Sequence, residues 1–323
     1  MSIALPHETG FFSHTDCRLH DMGGDHPESP ARLDAIADRV LAKGLTGAMT
    51  FLDAPLLDPQ LLTLAHAPHY VSRLTQTAEQ LAARALDDAE ATVSLDPDTT
   101  MNAHSWQAAL RAAGAGVAAV DAVIDGQLQN AFCSIRPPGH HATRAAAMGF
   151  CLVSNVALAA KYAVEKRGLK RVAIVDFDVH HGNGTEDIVA GDERILMVGF
   201  YQHPFYPNTP LTGAVNVHNS PVAAYTVGDA IREIVTDEWL PRLHAFKPEL
   251  VLISAGFDAH RLDDLGQMGL VEADYAWMTS QLMAIADQYA QRRLVSCLEG
   301  GYNLQALATS VEAHLRVLTG LDA

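Results

Sequence analysis

The sequence is short of positive charge and of aromatic side chains. Its 22 Lys and Arg stand against 38 Asp and Glu, a formal charge of −16, and 7% of its 323 residues are Phe, Trp or Tyr. That balance does not suit a phosphate backbone or an anionic membrane surface, both of which reward Lys and Arg, so neither nucleic acid nor membrane is expected as a partner. Cationic ligands are favoured instead. Cysteine is scarce too: Cys17, Cys133, Cys151 and Cys297 lie far apart without paired spacing, which fits buried free thiols in a reducing compartment better than a disulfide framework. Charged residues interrupt the apolar runs before the roughly 18 residues that a membrane span requires, and Met1 to Pro6 contains no basic region. A soluble, cytoplasmic protein is the expectation. Linkers of low complexity, internal repeats and breaks in composition are also missing, so residues 1–323 read as one domain.

What is present describes a folded globule, with 49% hydrophobic and 19% charged residues. At this length roughly three quarters of the unfolded surface can be buried, so stability needs no structural metal and any metal is functional. Ser29 and Pro30 suit the cap and first turn of a helix with the stripe Leu33, Ile36, Val40 and Leu41, ending at Gly44. An Ala-rich helix carries Trp106, Leu110, Ala113, Val117 and Ile124 on one face and stops at Gly126. Between helical stretches lie uniformly apolar runs at 131–135, 172–175, 195–198, 250–253 and 294–298. Runs that do not alternate mark strands buried on both faces, so the fold class is α/β: a parallel β-sheet sandwiched by helices. Segments 20–30, 95–100 and 202–213, rich in Pro, Gly and Asp, read as long loops at the strand ends.

Ligands of an open parallel sheet bind beyond the carboxyl ends of its strands. Four of the expected strands run straight into chemistry there: Arg136-Pro137-Pro138-Gly139-His140-His141, Asp176-Phe177-Asp178-Val179-His180-His181-Gly182-Asn183-Gly184, Ser254-Ala255-Gly256-Phe257-Asp258 and Glu299-Gly300-Gly301-Tyr302. Asp178 and His180 are two apart, so on an extended segment both side chains point the same way and can grip one ion. Asp258 from another strand end would complete one nitrogen and two oxygen ligands, an open set that leaves room for water and substrate. Zn2+ is the first reading, and Fe2+ or Mn2+ accept the same ligands. A strand-end Asp taken alone more often caps a helix. Ionisable groups gathered at four strand ends beside Gly and Pro are not what core packing requires.

These motifs, with His26-Pro27-Glu28 and Arg32, resemble the histone deacetylase family of the arginase-deacetylase fold, over about residues 9–318. Asn183, where class I members usually have Asp, resembles the class II and bacterial amidohydrolase branch. The resemblance implies Asp178, His180 and Asp258 as metal ligands, His141 as general base and then acid, and His140 as its electrostatic partner. It implies Asp176 behind His140, Asn183 behind His141, and Tyr302 as donor to the oxyanion, with Gly300 and Gly301 letting that loop approach closely. The residues alone do not rank the two histidines. Phe150 after Gly149 matches an aromatic wall of an acyl-lysine tunnel, with residues 203–207 as the other side. Asp98 matches a carboxylate that grips the substrate backbone, with Asp96 as the alternative. Arg32 matches a residue of an internal cavity or is a solvated helix arginine, and His181 reads as structural. A structural K+ or Na+ is implied at Asp176 with the backbone of Asp178, His180 and Phe200, although Gly199 stands where many relatives have a Ser ligand.

The implied activity is a metal-dependent amidohydrolase acting on acylated lysine-like or other small acylated amines. The alternative is an acetylpolyamine amidohydrolase, and a non-catalytic metal-binding scaffold ranks lower because no ligand or Tyr is lost. A ureohydrolase of the same fold would need a second carboxylate cluster beside Asp258, which Ala259-His260 does not provide. Leu265 stands where polyamine-selective relatives place Glu, which favours the acyl-lysine reading unless Asp263 or Asp264 takes that place. Homo-oligomerisation is left open.

Overall fold

All five uniformly apolar runs become strands of one sheet in the computed structural model, which describes residues 8–321. In chain order the strands are β1 (Thr9–Ser13), β2 (Thr50–Asp53), β3 (Thr92–Ser94), β4 (Thr100–Asn102), β5 (Asn130–Cys133), β6 (Val172–Asp176), β7 (Ile195–Gln202), β8 (Val217–Val222), β9 (Leu250–Ala255) and β10 (Leu294–Leu298). Eight form a sheet in the order β2-β1-β5-β10-β9-β6-β7-β8, with every neighbouring pair parallel. The chain leaves β5 and skips two places to β6, and β10 and β9 later fill the gap. Four strands whose ends carry the chemistry are therefore adjacent at the centre of the sheet.

Every residue of β5, β6, β9 and β10 is buried, as expected when helices cover both faces. Helices Ser105–Ile124 and Asn155–Glu165 pack on β5, β10, β6 and β9, and helices Glu272–Tyr289 and Leu304–Leu318 on β9 and β5. The strands β1, β2 and β8 were not legible in the sequence. β1 and β2 are only five and four residues long, and β2 is a half-exposed edge. β8 is the other edge and reads Val-His-Asn-Ser-Pro-Val, with four of its six positions open to some degree. A separate antiparallel pair, β3 and β4, flanks the expected loop at 95–100.

The helix expected after Ser29 spans Ala31–Ala42. Leu33, Ile36 and Val40 are buried on it, but Leu41 is 69% exposed. One residue turns a helix by about 100°, which carries Leu41 off the stripe that Val40 completes. Ser29 contributes its carbonyl to Arg32 N (3.1 Å) and no side-chain cap.

The Ala-rich helix, Ser105–Ile124, is buried on most of its surface rather than on one face, and of its expected stripe Trp106 and Ile124 are half-buried. By length and composition it could cross a membrane, contrary to the reading of the apolar runs. Its most apolar window is 72% buried inside the protein, so that surface is spent on the core. The four cysteines are buried and free.

Candidate active site

At the end of β6 the chain does not stay extended. Asp178 Oδ1 accepts a hydrogen bond from His180 N at 2.8 Å, which folds the backbone back and brings His180 Nδ1 within 3.0 Å of the same oxygen. A side-chain turn of the Asx kind, not strand alternation, is what makes the two side chains converge. Asp258, three residues beyond β9, enters from the next strand. Its Oδ1 accepts from Val179 N (2.9 Å), and its Oδ2 lies 3.3 Å from His180 Nδ1 without forming a hydrogen bond. The ligating atoms of Asp178, His180 and Asp258 all lie within 4.8 Å of one another.

The loop after β10 closes over this cluster because Gly300 has no side chain. Its N–H donates to Asp178 Oδ2 (2.9 Å), and a Cβ there would stand 1.9 Å from Asp258 Oδ2. Burial disfavours every charge in the cluster. The two carboxylates nevertheless hold the His180 imidazolium to a pKa of about 10. Asp178 is pulled well below the usual carboxylate range by His140 and His180, against its burial. Asp258, buried and facing Asp178, is pushed up to about 7. Two carboxylates, one of them with an unpartnered buried oxygen, and one imidazole form a donor set that fits a divalent cation.

The turn after β5 delivers the two histidines. His140 Nδ1 meets Asp176 Oδ2 at 3.0 Å, and His141 Nδ1 meets Asn183 Oδ1 at 2.8 Å. Asn183 Nδ2 faces Met148 Sδ (3.3 Å), so its oxygen is the group left to accept from His141 Nδ1–H, leaving His141 Nε2 as an acceptor. The neighbours separate the rings electrically, a ranking that the residues alone did not provide. Asp178 and Asp176 raise the pKa of His140 well above the ordinary value in spite of burial. Burial and the adjacent His140 and His180 lower that of His141 well below it, and its amide partner restores little.

Glu299, the residue that follows β10 and heads the expected strand-end motif but was given no role from the sequence, organises the turn. It is fully buried and accepts from Gly139 N (2.6 Å), His140 N (3.1 Å) and Ser254 Oγ (3.2 Å). A carboxylate ending a fully buried strand is the signal that could have marked it, because such a group must be satisfied by nearby donors.

A cavity of about 220 Å³ opens above the cluster, lined by Asp98, His141, Gly149, Phe150, His180, Phe205, Tyr206, Asp264, Leu265 and Tyr302. Phe205 stacks on His180 (centroids 5.4 Å apart), and Tyr206 stands edge-on to His141 at 5.2 Å. Opposite them, Phe150 is edge-on to Tyr302 at 5.8 Å. Phe150 takes a left-handed φ of 68°, a strained conformation for a side-chain-bearing residue. It is held by Thr99 Oγ1, which accepts from Phe150 N (3.0 Å), and by Asp98 Oδ1, which accepts from Gly149 N (3.1 Å). Asp98 is thus both a cavity residue and a brace for the wall, and Asp96 is not in the lining.

Tyr302 is positioned from below and beside. Asp263, 4% exposed, accepts from Tyr302 N (2.6 Å) and Asn303 N (2.9 Å) with one oxygen and from Leu265 N (3.0 Å) with the other. Asp263 therefore ties the tyrosine loop to the rim loop and does not face the cavity, whereas Asp264 and Leu265 do. Arg32 is fully buried, which overturns the solvated alternative. Its Nε donates to Gly301 O (2.6 Å), and its guanidinium lies 4.9 Å from the Tyr302 ring centre. Burial raises the Tyr302 phenol well above its ordinary pKa, so the hydroxyl keeps its proton. His181 is buried against Glu186 (2.7 Å), the structural place expected for it. Asp176 pairs with Gly199, the neighbour of Phe200, across the ends of β6 and β7, and its Oδ1 accepts from Asp178 N (3.1 Å) in the turn that leads to His180.

Residues 26–318 match the histone deacetylase domain family. An uncharacterised protein of Synechocystis sp., slr0245, is 41% identical over 310 residues, covering 93% of this chain and 95% of its own. Mouse polyamine deacetylase HDAC10 is 36% identical over 331 residues, 97% of this chain but 48% of the mouse protein, so this chain spans about half of that relative. A probable deacetylase of Archaeoglobus fulgidus is 33% identical over 97% of this chain and 87% of its own. The crystal structure of the HDA15 HD domain superposes with a TM-score of 0.89 at 33% identity, covering 97% of this chain and 88% of that one. A deacetylase-type site at the centre of a parallel α/β sheet and a family match over most of the chain lead to one conclusion: this chain belongs to the histone deacetylase family and is a deacetylase hydrolase.

Proposed function

We propose that the chain is a zinc-dependent amidohydrolase that removes acetyl or other short acyl groups from lysine-like amines. The observation that carries this reading is the buried, unpartnered Oδ2 of Asp258 facing His180 and Asp178 at the floor of a cavity that also holds a neutral His141 and the Tyr302 phenol. A divalent ion held by Asp178, His180 and Asp258 supplies Lewis acidity for the amide carbonyl and lowers the pKa of water. The residues do the rest. Phe150 and Phe205 clamp the aliphatic arm of the substrate. His141 Nε2 takes the proton of the attacking water, and the Tyr302 hydroxyl donates to the carbonyl oxygen as it becomes anionic. The new C–O bond forms as the carbonyl π electrons move onto the oxygen; the C–N bond breaks when that oxygen re-forms the carbonyl, and the proton held on the imidazole passes to the departing amine. His140, kept cationic between Asp176 and Asp178, stabilises negative charge developing beside it.

The substrate class is read from the rim. Leu265 presents an apolar face where an acidic gate would select a polyamine. A second reading, an acetylpolyamine substrate, is favoured by Asp264 beside Leu265, by Asp98 across the cavity, and by the likeness to a polyamine deacetylase. Comparing kcat/KM for an acetyl-lysine peptide, trifluoroacetyl-lysine and acetylspermidine separates the two, using wild type, Leu265→Glu and Asp264→Asn. The expected result is a preference for the lysine substrates that moves toward acetylspermidine in Leu265→Glu. A wild type preferring acetylspermidine, with that preference lost in Asp264→Asn, would replace the first reading with the second. Reconstitution of the metal-stripped protein with Zn2+, Fe2+ or Mn2+ tests the metal, with the highest turnover expected for Zn2+.

A further inference from the structure

Gly149 and Phe150 are two successive left-handed residues, with φ of 55° and 68°. They lie in a tight turn closed by reciprocal backbone bonds, Met148 N to Cys151 O (3.2 Å) and Cys151 N to Met148 O (2.9 Å). A residue with a bulky side chain stays left-handed only where its surroundings hold it there. The holders stand 51 positions earlier in the chain. Gly149 N donates to Asp98 Oδ1 (3.1 Å), Phe150 N donates to Thr99 Oγ1 (3.0 Å), and the Thr99 hydroxyl gives its own hydrogen to Asp98 Oδ1 (3.0 Å). These bonds close a ring around both N–H groups. Thr99 is fully buried, and its carbonyl oxygen accepts from Leu95 N (2.8 Å), which sets the two acceptors on one closed loop.

The same turn rests on the His141 imidazole. A Cβ on Gly149 would stand 2.4 Å from His141 Cδ2 and 2.7 Å from its Cγ, so the bare backbone at 149 lies against the ring. Met148 accepts through its sulfur from Asn183 Nδ2 (3.3 Å), and the oxygen of that amide meets His141 Nδ1 at 2.8 Å. On the other side of the turn, Phe150 stands edge-on to His26 at 4.7 Å and to Tyr302 at 5.8 Å. Residues 148–151 therefore set both the cavity wall and the imidazole. Asp98, which ties that turn to the outer loop, lines the cavity itself, whereas Thr99 does not.

We infer that Thr99 is a positioning residue for the hydrolysis: its hydroxyl locks the turn at 148–151, keeps the Phe150 wall upright and the His141 ring aimed, and links both to the cavity carboxylate of Asp98. The inference rests on the reading of His141 as the base, but not on which acyl amine is hydrolysed. Thr99 acts through its neighbours, so the loss of its hydroxyl reaches turnover and substrate binding together and leaves the metal ligands in place.

Thr99→Val keeps the volume and deletes both hydroxyl bonds, and Thr99→Ser keeps the hydroxyl. With zinc-loaded protein and the acyl amine that wild type turns over best, Thr99→Val is expected to lower kcat by about tenfold and raise KM with bound metal retained, and Thr99→Ser to stay within about threefold of wild type in both constants. Asp98→Ala breaks the same ring, so Thr99→Val/Asp98→Ala should fall no more than about threefold below the worse single variant, where independent roles would multiply. A crystal structure of Thr99→Val should show Phe150 at negative φ and the His141 ring displaced. That readout needs no substrate, so it separates a failure of the Thr99 assignment from a failure of the base role. Thr99→Val turnover within about threefold of wild type, a Thr99→Ser as impaired as Thr99→Val, multiplied losses in the double variant, or a Thr99→Val structure with Phe150 and His141 unmoved would each overturn the assignment. Failure of both Thr99→Val and Thr99→Ala to fold would overturn it too, since the hydroxyl would then serve the whole fold.

Discussion

Two buried ionic clusters lie within the same fold and have opposite characters. Behind the tyrosine loop, Glu28 accepts from Arg136 Nε and Nη2 and from Arg32 Nη1; Arg136 Nη1 donates to the carbonyls of Cys17 and His20 at 2.9 Å and Nη2 also to that of Glu28 at 3.2 Å. Two guanidinium groups face one carboxylate, and both carboxylate oxygens are paired. At the cavity floor, two carboxylates face one imidazole, and Asp258 Oδ2 has no hydrogen bond among the described residues. Burial is nearly complete in both. What separates a scaffold from a site is therefore not burial but acceptor capacity left over after the protein has satisfied itself. In the first cluster both carboxylate oxygens are taken, whereas the second keeps a carboxylate oxygen for a metal ion.

The strongest way to break this contrast is to remove a carboxylate from each cluster. Asp178→Ala and Asp258→Ala should lose most bound metal and drop turnover to background while remaining folded; wild-type metal content in both variants would remove the cation from the cavity floor. Tyr302→Phe leaves both clusters intact and deletes one oxyanion donor. A fall in kcat of about 100-fold to 1000-fold is expected, with KM little changed and metal retained. Activity within about threefold of wild type would exclude the role given to the phenol.

Glu28→Gln attacks the other cluster and should do the reverse, keeping the metal but lowering unfolding stability in urea by about 3–5 kcal/mol, because two buried arginines lose their counter-charge. The Arg136 pairing holds the Glu28 pKa down to about 2, against burial and from an ordinary 4.5. A depressed carboxylate pKa stabilises the fold above the unfolded value and loses that contribution as pH falls toward the folded one. Wild type should therefore lose stability between about pH 4.5 and 2 by a component missing in Glu28→Gln. Equal acid profiles for the two proteins would count against the paired carboxylate.

The smallest expected effect sharpens the contrast within the site. Asn183→Asp puts a carboxylate behind His141 and should raise its pKa by about one unit or more. The protonated ring cannot act as a base, so the acid limb of kcat/KM should move to higher pH in the variant. A limb that does not move would transfer the base role away from His141.

Much of this site was legible in the order of the residues. Five strands could be recognised from unbroken apolar runs, and in a parallel sheet the segments leaving the strands all open on the same edge, which is why His140, Asp178, Asp258 and Tyr302, at the ends of four of them, could be grouped from sequence order alone. The edges were harder to read. β2 and β8 are partly exposed and carry mixed residues, so no run of one character announces them. Asp263 shows the same limit inside the site: in Asp263-Asp264-Leu265 two neighbouring carboxylates have the same chemistry, yet one is locked under Tyr302 and the other looks into the cavity.

The sequence by itself determined the fold class, the strand-end grouping and the residue types of the ligand set, because burial on two faces and metal chemistry each leave a local signature. Tertiary structure alone decided the rest. It decided which histidine is neutral, since that depends on whether Asp176 or Asn183 stands behind the ring. It also decided that Arg32 and Glu299 brace the site from within. Electrostatic shifts and steric complementarity act across a few ångströms of space, and the residues that exert them here are separated by 36 positions between His140 and Asp176 and 269 between Arg32 and Gly301.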